Sequence, residues 1–209
     1  MVACSVTHRT AGRAPRTVAE MVAALLGWYG RATAEQVAEG RVWYSEAGAT
    51  LRAESVAAGF AEHVGIIVAA LLSPRADWAY NLPGAIALLR GETPPAMLLP
   101  DRVAIARAYL ATAEHCGDSA LGDSPKVRPF ACNLSGCGDC VTADTWHARA
   151  CYGTWDVTLR SCGCDHAAIA EATRTAAAMV GETPAAFQAI VWVAIRAANP
   201  KGSKVRDLL

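Results

Sequence analysis

Neither sign of charge dominates this sequence of 209 residues: lysine plus arginine and aspartate plus glutamate each number 19. A balanced chain lacks the electrostatic footprint of a basic nucleic-acid-binding domain, so any hold on phosphates has to come from local clusters. Aromatic residues are scarce, at 7%, and no stretch of useful length alternates apolar and polar residues as a half-buried strand does. No internal repeat is visible. The best apolar run, Val64 to Leu72, is about half of the ~20 residues that a membrane span needs. The opening MVACSVTHRTAGRAPRT has no apolar core of the kind a secretory signal carries. These absences predict a cytoplasmic chain whose eight cysteines are mostly reduced.

What is abundant is alanine, within an apolar fraction of 53% and a charged fraction of 18%. That composition can bury a core and favours helices. The spacing predicts an all-α fold of eight or nine helices, organised as a flexible basic arm over 1–16, a single helical domain over 17–198 and a basic tail over 199–209. The arm carries Arg9, Arg13 and Arg16 with no acid, and the C-terminal stretch carries Arg196, Lys201, Lys204 and Arg206 against Asp207. Such ends read either as solvated tails or as phosphate-contacting arms.

Within the domain, helical spacing starts at Thr17 and runs to Gly30, and a second helix runs from near Thr33 towards Tyr44. Residues 54–72, apolar nearly all round, predict the central buried helix, ended by Ser73-Pro74. Further helices are expected over roughly 75–90, with Pro83 in its path, then 101–115, 125–134, 143–152, 166–180 and 184–198. Pro125 suits a first helical position, and Asp144 or Thr142 suits an N-cap.

Four segments resemble one family in order. Residues 65–81, GIIVAALLSPRADWAYN, are similar to the "LLSAQATD…N" segment of endonuclease III-type glycosylases. Residues 126–136, KVRPFACNLSG, resemble the helix that follows the family's hairpin and begins at its catalytic lysine. Residues 141–149, VTADTWHAR, resemble "VDTHVxR", which carries the catalytic aspartate, and 188–196, QAIVWVAIR, resemble the late helix ending in "LxxxGR". Lys126 and Asp144 stand 18 positions apart, the separation found in those enzymes. The chain thus resembles the helix-hairpin-helix DNA glycosylase superfamily over roughly 55–198. Its "SPR…W..N" and "NL.G….VT.D.W" wording is also similar to small phage-encoded proteins.

The resemblance implies a site. Asp144 would stabilise the oxocarbenium-like transition state of glycosidic cleavage or hold a nucleophile's proton. Lys126 would attack C1′ as an amine and form a Schiff base. At the start of its helix, the positive end of the dipole would disfavour the charged amine. Arg75 stands where the family has the wedge that fills the gap left by an extruded base. Trp78, Tyr80 and Trp146 would line a base pocket. Asn81 would orient backbone or DNA, and Arg128 and His147 would complete the nucleic-acid contacts. Each also has a plainer reading: a solvated lysine, a helix cap, a surface arginine, core tryptophans. The sequence departs from the family at the hairpin. Where L-P-G-x-G-x-K is expected, it has Leu121-Gly122-Asp123-Ser124-Pro125-Lys126, one residue short, with Asp123 positioned to repel a phosphate. No cysteine follows Cys164, so the relatives' iron–sulfur cluster is not expected.

The cysteines carry a separate signal. Cys137-x-x-Cys140 with Cys162-x-Cys164 has the makings of a tetrathiolate zinc site, with Cys132, His147 and His166 as further donors. The competing reading is buried or loop thiols without metal. His147 and Cys151, four apart on one helix face, also suggest a Cys/His nucleophile, though without an orienting third group. No cofactor is required by the expected chemistry. Three functions follow: a monomeric DNA base-excising enzyme, a phage-type transferase adding an amine or amino acid to a modified pyrimidine in DNA, or a non-catalytic nucleic-acid-binding module on the same scaffold.

Overall fold

A computed structural model describes residues 16–112, 117–154, 157 and 164–199. Among these residues the protein is all-helical and contains no strand. In chain order the helices are α1 (Val18–Arg31), α2 (Ala34–Ala57), α3 (His63–Leu72), α4 (Trp78–Leu89) and α5 (Pro100–Leu110). A 3-10 turn (Gly117–Leu121) follows, then α6 (Val127–Leu134), α7 (Thr145–Tyr152), α8 (Cys164–Val180) and α9 (Pro184–Ala198). The nine α-helices among the described residues fit the expected all-α class. The basic arm up to Pro15 and the tail from Pro200 lie outside the described residues.

Local chemistry accounts for most boundaries. Thr17 caps α1 in a reciprocal box with Glu20, and Thr183 caps α9 ahead of Pro184. Asp77 caps α4, whose internal Pro83 stands at the sixth helical position, past the first turn, and takes one i→i−4 hydrogen bond out of the helix. Three boundaries differ from expectation: α5 ends at Leu110, short of 115, α6 begins at Val127, after Pro125, and the largest difference lies between α2 and α3. The apolar run over 54–72 is not one helix: α2 continues to Ala57, Gly59 takes a φ of 84°, and α3 begins at His63. Val56, Phe60 and Val64 keep helical spacing across the break, which hides it from a periodicity argument.

The chain divides into two compact units, one from residues 1–43 with 138–209 and the other from 44–137. In the first, α1 packs on α7, α8 and α9. Its core joins Leu25, Trp28, Cys151, Ile169, Phe187, Val191 and Ile195, with Tyr29 stacked on Phe187 at 5.3 Å. In the second, α3 is the centre, buried from Val64 to Leu72 and surrounded by α4, α5, α6 and the 3-10 turn. Gly65 lets α3 approach α2 closely: a Cβ there would lie 2.5 Å from Ser55 Oγ and 2.6 Å from the Leu51 carbonyl oxygen. The Gly65 N–H uses that proximity to donate to Ser55 Oγ at 2.7 Å. No single helix among the described residues is long and apolar enough to cross a membrane. A pair, His166–Val180 with Pro184–Ala198, reaches that length only across a 97° bend.

Candidate functional site

Asp144 is the N-cap of α7. Its extended backbone (φ −98°, ψ 179°) turns the carboxylate back onto the His147 N–H, which it accepts at 2.7 Å. An anionic cap at a helix N-terminus is stabilised by the exposed N–H groups and the dipole. The preceding strand of chain is fixed by Gln188 of α9, which accepts from the Thr142 N–H at 2.7 Å and donates back to the Thr142 carbonyl. Asp144 is thus half-buried on a well-anchored turn.

His147 is fully buried, which leaves no ring surface for a nucleic acid to touch; its expected contact with DNA is corrected to a core position. Its Nε2 lies 2.8 Å from Thr173 Oγ1, and that hydroxyl donates to the Ile169 carbonyl at 2.7 Å. The hydroxyl proton is therefore committed, so Nε2 carries the hydrogen and Nδ1 is the bare acceptor. Burial holds the ring's pKa down to about 3, keeping it neutral. Cys151 is also fully buried, and desolvation pushes its thiol pKa up. A thiol kept protonated and out of solvent is not a nucleophile, which removes the Cys/His reading.

Trp146 is half-buried and braced by two guanidinium groups. Arg149 lies 4.8 Å and Arg196 5.2 Å from its ring centroid, and Arg196 also sits 5.0 Å from that of Trp192. Trp43 extends the array, 5.5 Å from Trp192. The sequence expectation named Trp146 and missed Arg149 and Arg196 as its partners. The signal was present: Trp146/Arg149 are three apart and Trp192/Arg196 four apart, the spacings at which helical side chains meet.

Lys126, in the other unit, immediately precedes α6. Its Nζ does not stay near the positive end of its own helix, as expected from sequence; it reaches across to donate to the Ser73 carbonyl at 2.7 Å. Ser73 is the C-cap of α3, so the ammonium meets the negative end of that helix. Two residues on, Arg75 is exposed and has a φ of 60°. A non-glycine residue in the left-handed region costs about 1–2 kcal/mol, and such strain gathers at functional turns. Ser73 Oγ is buried with no hydrogen-bond partner among the described residues.

The remaining expected contacts divide. Asn81 is buried, and its Nδ2 donates to the Ala69 carbonyl at 3.1 Å, so it fastens α4 to the end of α3 and does not face a ligand. Trp78 sets its ring edge-on to Phe130, with centroids 6.1 Å apart. Tyr80 is 42% exposed. Arg128 is exposed and folds back so that Nε donates to the Gly122 carbonyl at 3.2 Å. Gly122 takes a φ of 57°, and Ser124 Oγ accepts from the Val127 N–H at 3.2 Å, so the shortened hairpin is closed by its own hydrogen bonds.

Of the four cysteines expected to hold zinc, Cys137 and Cys140 come together with Cys132, whose sulfur was only a spare donor in the sequence argument. Their sulfur atoms all lie within 4.8 Å of one another, a group able to hold a metal ion. Cys162 and the side chain of Cys164 lie outside the described residues. No curated protein and no solved structure matches the chain. Residues 7–199 match DUF7178, a family of unknown function, and the chain belongs to that family.

Proposed function

We propose that this protein is an endonuclease III-like enzyme of the helix-hairpin-helix glycosylase type that acts on a damaged or modified base in DNA. The observation that carries the reading is the Lys126 Nζ bond to the Ser73 carbonyl, at 2.7 Å, in the turn that presents Arg75. Two of the segments that carry the resemblance meet at one place, through residues 53 positions apart. An amine nucleophile beside an exposed, strained arginine suits an enzyme that must extrude a base and attack the sugar it leaves.

In this reading the Lys126 amine, once it gives up a proton and its bond to Ser73, attacks C1′. The glycosidic bond breaks with its electron pair going to the base, and the sugar opens to an imine on Nζ. The resemblance gives Asp144 the support of the positive charge that develops at C1′ and the uptake of the proton released on the way. The bond cleavage is assigned to side chains alone. Any metal at the cysteines would be structural, with zinc the expected ion.

Borohydride trapping on an oligonucleotide bearing an abasic site tests the reading. The wild-type chain is expected to give a covalent complex on a denaturing gel, lost in Lys126→Ala and reduced on the order of 100-fold or more in Asp144→Asn. Absence of a complex from folded wild-type protein overturns the lysine nucleophile. A mass gain on phage-type modified DNA, with no base release, would instead indicate the transferase. Binding unchanged by Asp144→Asn, with neither activity, would indicate the binding module.

A further inference from the structure

We propose that Cys132, Cys137 and Cys140 form a zinc site that holds the ion through three thiolates. The inference is independent of the reading of Lys126 and Asp144. All three sulfurs come from nine consecutive residues, so the cluster is a property of that segment alone.

The end of α6 explains how the thiols meet. The Gly136 N–H donates to the Asn133 carbonyl at 3.0 Å, and the Cys137 N–H donates to the Cys132 carbonyl at 3.0 Å. Gly136 takes a φ of 102°. This is the paired bond pattern of a Schellman motif, in which the side chains at the two positions joined by the outer bond contact each other. Ordinarily that contact is apolar. Here both positions are cysteines, 132 and 137, and Cys140 adds a third thiol three residues later. The helix end is itself held in place: Arg52 Nη1 donates to the Leu134 carbonyl at 3.2 Å, and Gly48 approaches the same carbonyl more closely than a Cβ would allow.

Burial separates these thiols from a packing role. Cys151, in the core, is fully buried, whereas Cys132, Cys137 and Cys140 are all half-buried and none forms a disulfide. Zinc–thiolate bonds of about 2.3 Å in a tetrahedron set sulfurs about 3.8 Å apart. Sulfurs already within 4.8 Å need to close by only about 1 Å once an ion replaces their protons. Soft thiolate donors select zinc over magnesium or calcium.

The test uses the full chain, purified without chelator. Elemental analysis is expected to find about one zinc per chain, and cobalt substitution to give the thiolate-to-metal charge-transfer band of a tetrahedral site. Cys132→Ser, Cys137→Ser and Cys140→Ser should each weaken zinc binding by at least about 100-fold, beyond the usual cost of losing an outer-shell partner. Cys116→Ser should leave it unchanged. Because a ligand variant could misfold, zinc protection of the three thiols from a thiol reagent is read on the wild-type chain as well. The proposal is overturned if zinc is absent and the three thiols react equally with and without added zinc. Iron with acid-labile sulfide would also overturn it, as would zinc that survives Cys132→Ser and is lost in Cys162→Ser and Cys164→Ser.

Discussion

At the start of α7 the carboxylate of Asp144 accepts a backbone N–H, Thr142 and Gln188 exchange hydrogen bonds, and His147 Nε2 donates to the Thr173 hydroxyl, whose own hydrogen goes to the Ile169 carbonyl. At the end of α3, in the other unit, Ser73 Oγ and Asn81 Oδ1 are buried without partners among the described residues, and Arg75 is held left-handed. Each buried oxygen without a partner costs on the order of 1–3 kcal/mol. The first region pairs its capping and backbone groups and leaves one buried atom, His147 Nδ1, without a partner among the described residues. The second adds to its unpartnered buried oxygens a strained backbone at Arg75, the kind of feature that gathers at functional turns. Residues of the α7 turn should therefore govern stability when changed, and those of the α3 turn should govern ligand contact.

The largest stability effect is expected at His147. Replacing it with alanine empties a fully buried site and leaves Thr173 Oγ1 without its donor, for a loss of about 3 kcal/mol measured by urea unfolding. A loss under about 1 kcal/mol would mean that the α7 region is not the rigid one. Acid sharpens the same point. The ring's pKa is about 3 in the folded chain, against an ordinary value of 6.5. Above pH 6.5 the ring is neutral in both states and contributes no pH dependence. Below it, the unfolded chain takes up a proton that the folded chain cannot. Stability should fall by up to about 1.4 kcal/mol per pH unit from pH 6.5 towards pH 3. His147→Asn keeps a donor without a titrating ring and should flatten that slope.

A smaller effect separates the two things Asp144 can do. Asp144→Ala removes the cap and should cost about 1 kcal/mol of stability. Asp144→Asn keeps the cap, since asparagine caps about as well, and should cost little. If Asp144→Asn nonetheless abolishes trapping on abasic DNA, the charge has a function apart from the cap. Equal loss of stability in both variants would mean that the carboxylate charge itself holds the fold.

Much of this contrast was legible in the sequence. Asp144 at a cap position, Thr17 with Glu20 three residues later, and a run over 64–72 with no polar face all state local rules that the fold obeys. The break between α2 and α3 was not legible, because Val56, Phe60 and Val64 hold helical spacing across Gly59. Burial of His147 was equally hidden. Its position beside a cap looks exposed, and only α8, bringing Thr173 from 26 residues away, makes the site interior. The lysine contact was invisible for the same reason: the partner of Lys126 is a backbone carbonyl 53 residues distant, which leaves no trace in side-chain pattern. The cysteine triplet lies between these cases. The Cys137-x-x-Cys140 spacing was plain, while the role of Cys132 depends on the turn geometry at Gly136.

The smallest expected effect has the opposite sign. Glycine at position 75 would adopt the left-handed backbone without the steric cost that arginine bears, about 1–2 kcal/mol. It would also add about 0.5–1 kcal/mol of unfolded-state entropy. The difference should leave Arg75→Gly more stable than wild type by about 0.5–1 kcal/mol, read as a higher urea midpoint at unchanged slope. Arg75→Ala removes the guanidinium and keeps the strain, so it should leave stability nearly unchanged. If the arginine is retained for contact with an opened duplex, both variants should bind abasic DNA more weakly by a similar factor, while only the glycine variant gains stability. A gain in stability with binding untouched would remove Arg75 from the site and leave the turn's strain without a function. A loss of stability in Arg75→Gly would mean that the side chain holds the turn in place, and the contrast between the two regions would fail at its strained end.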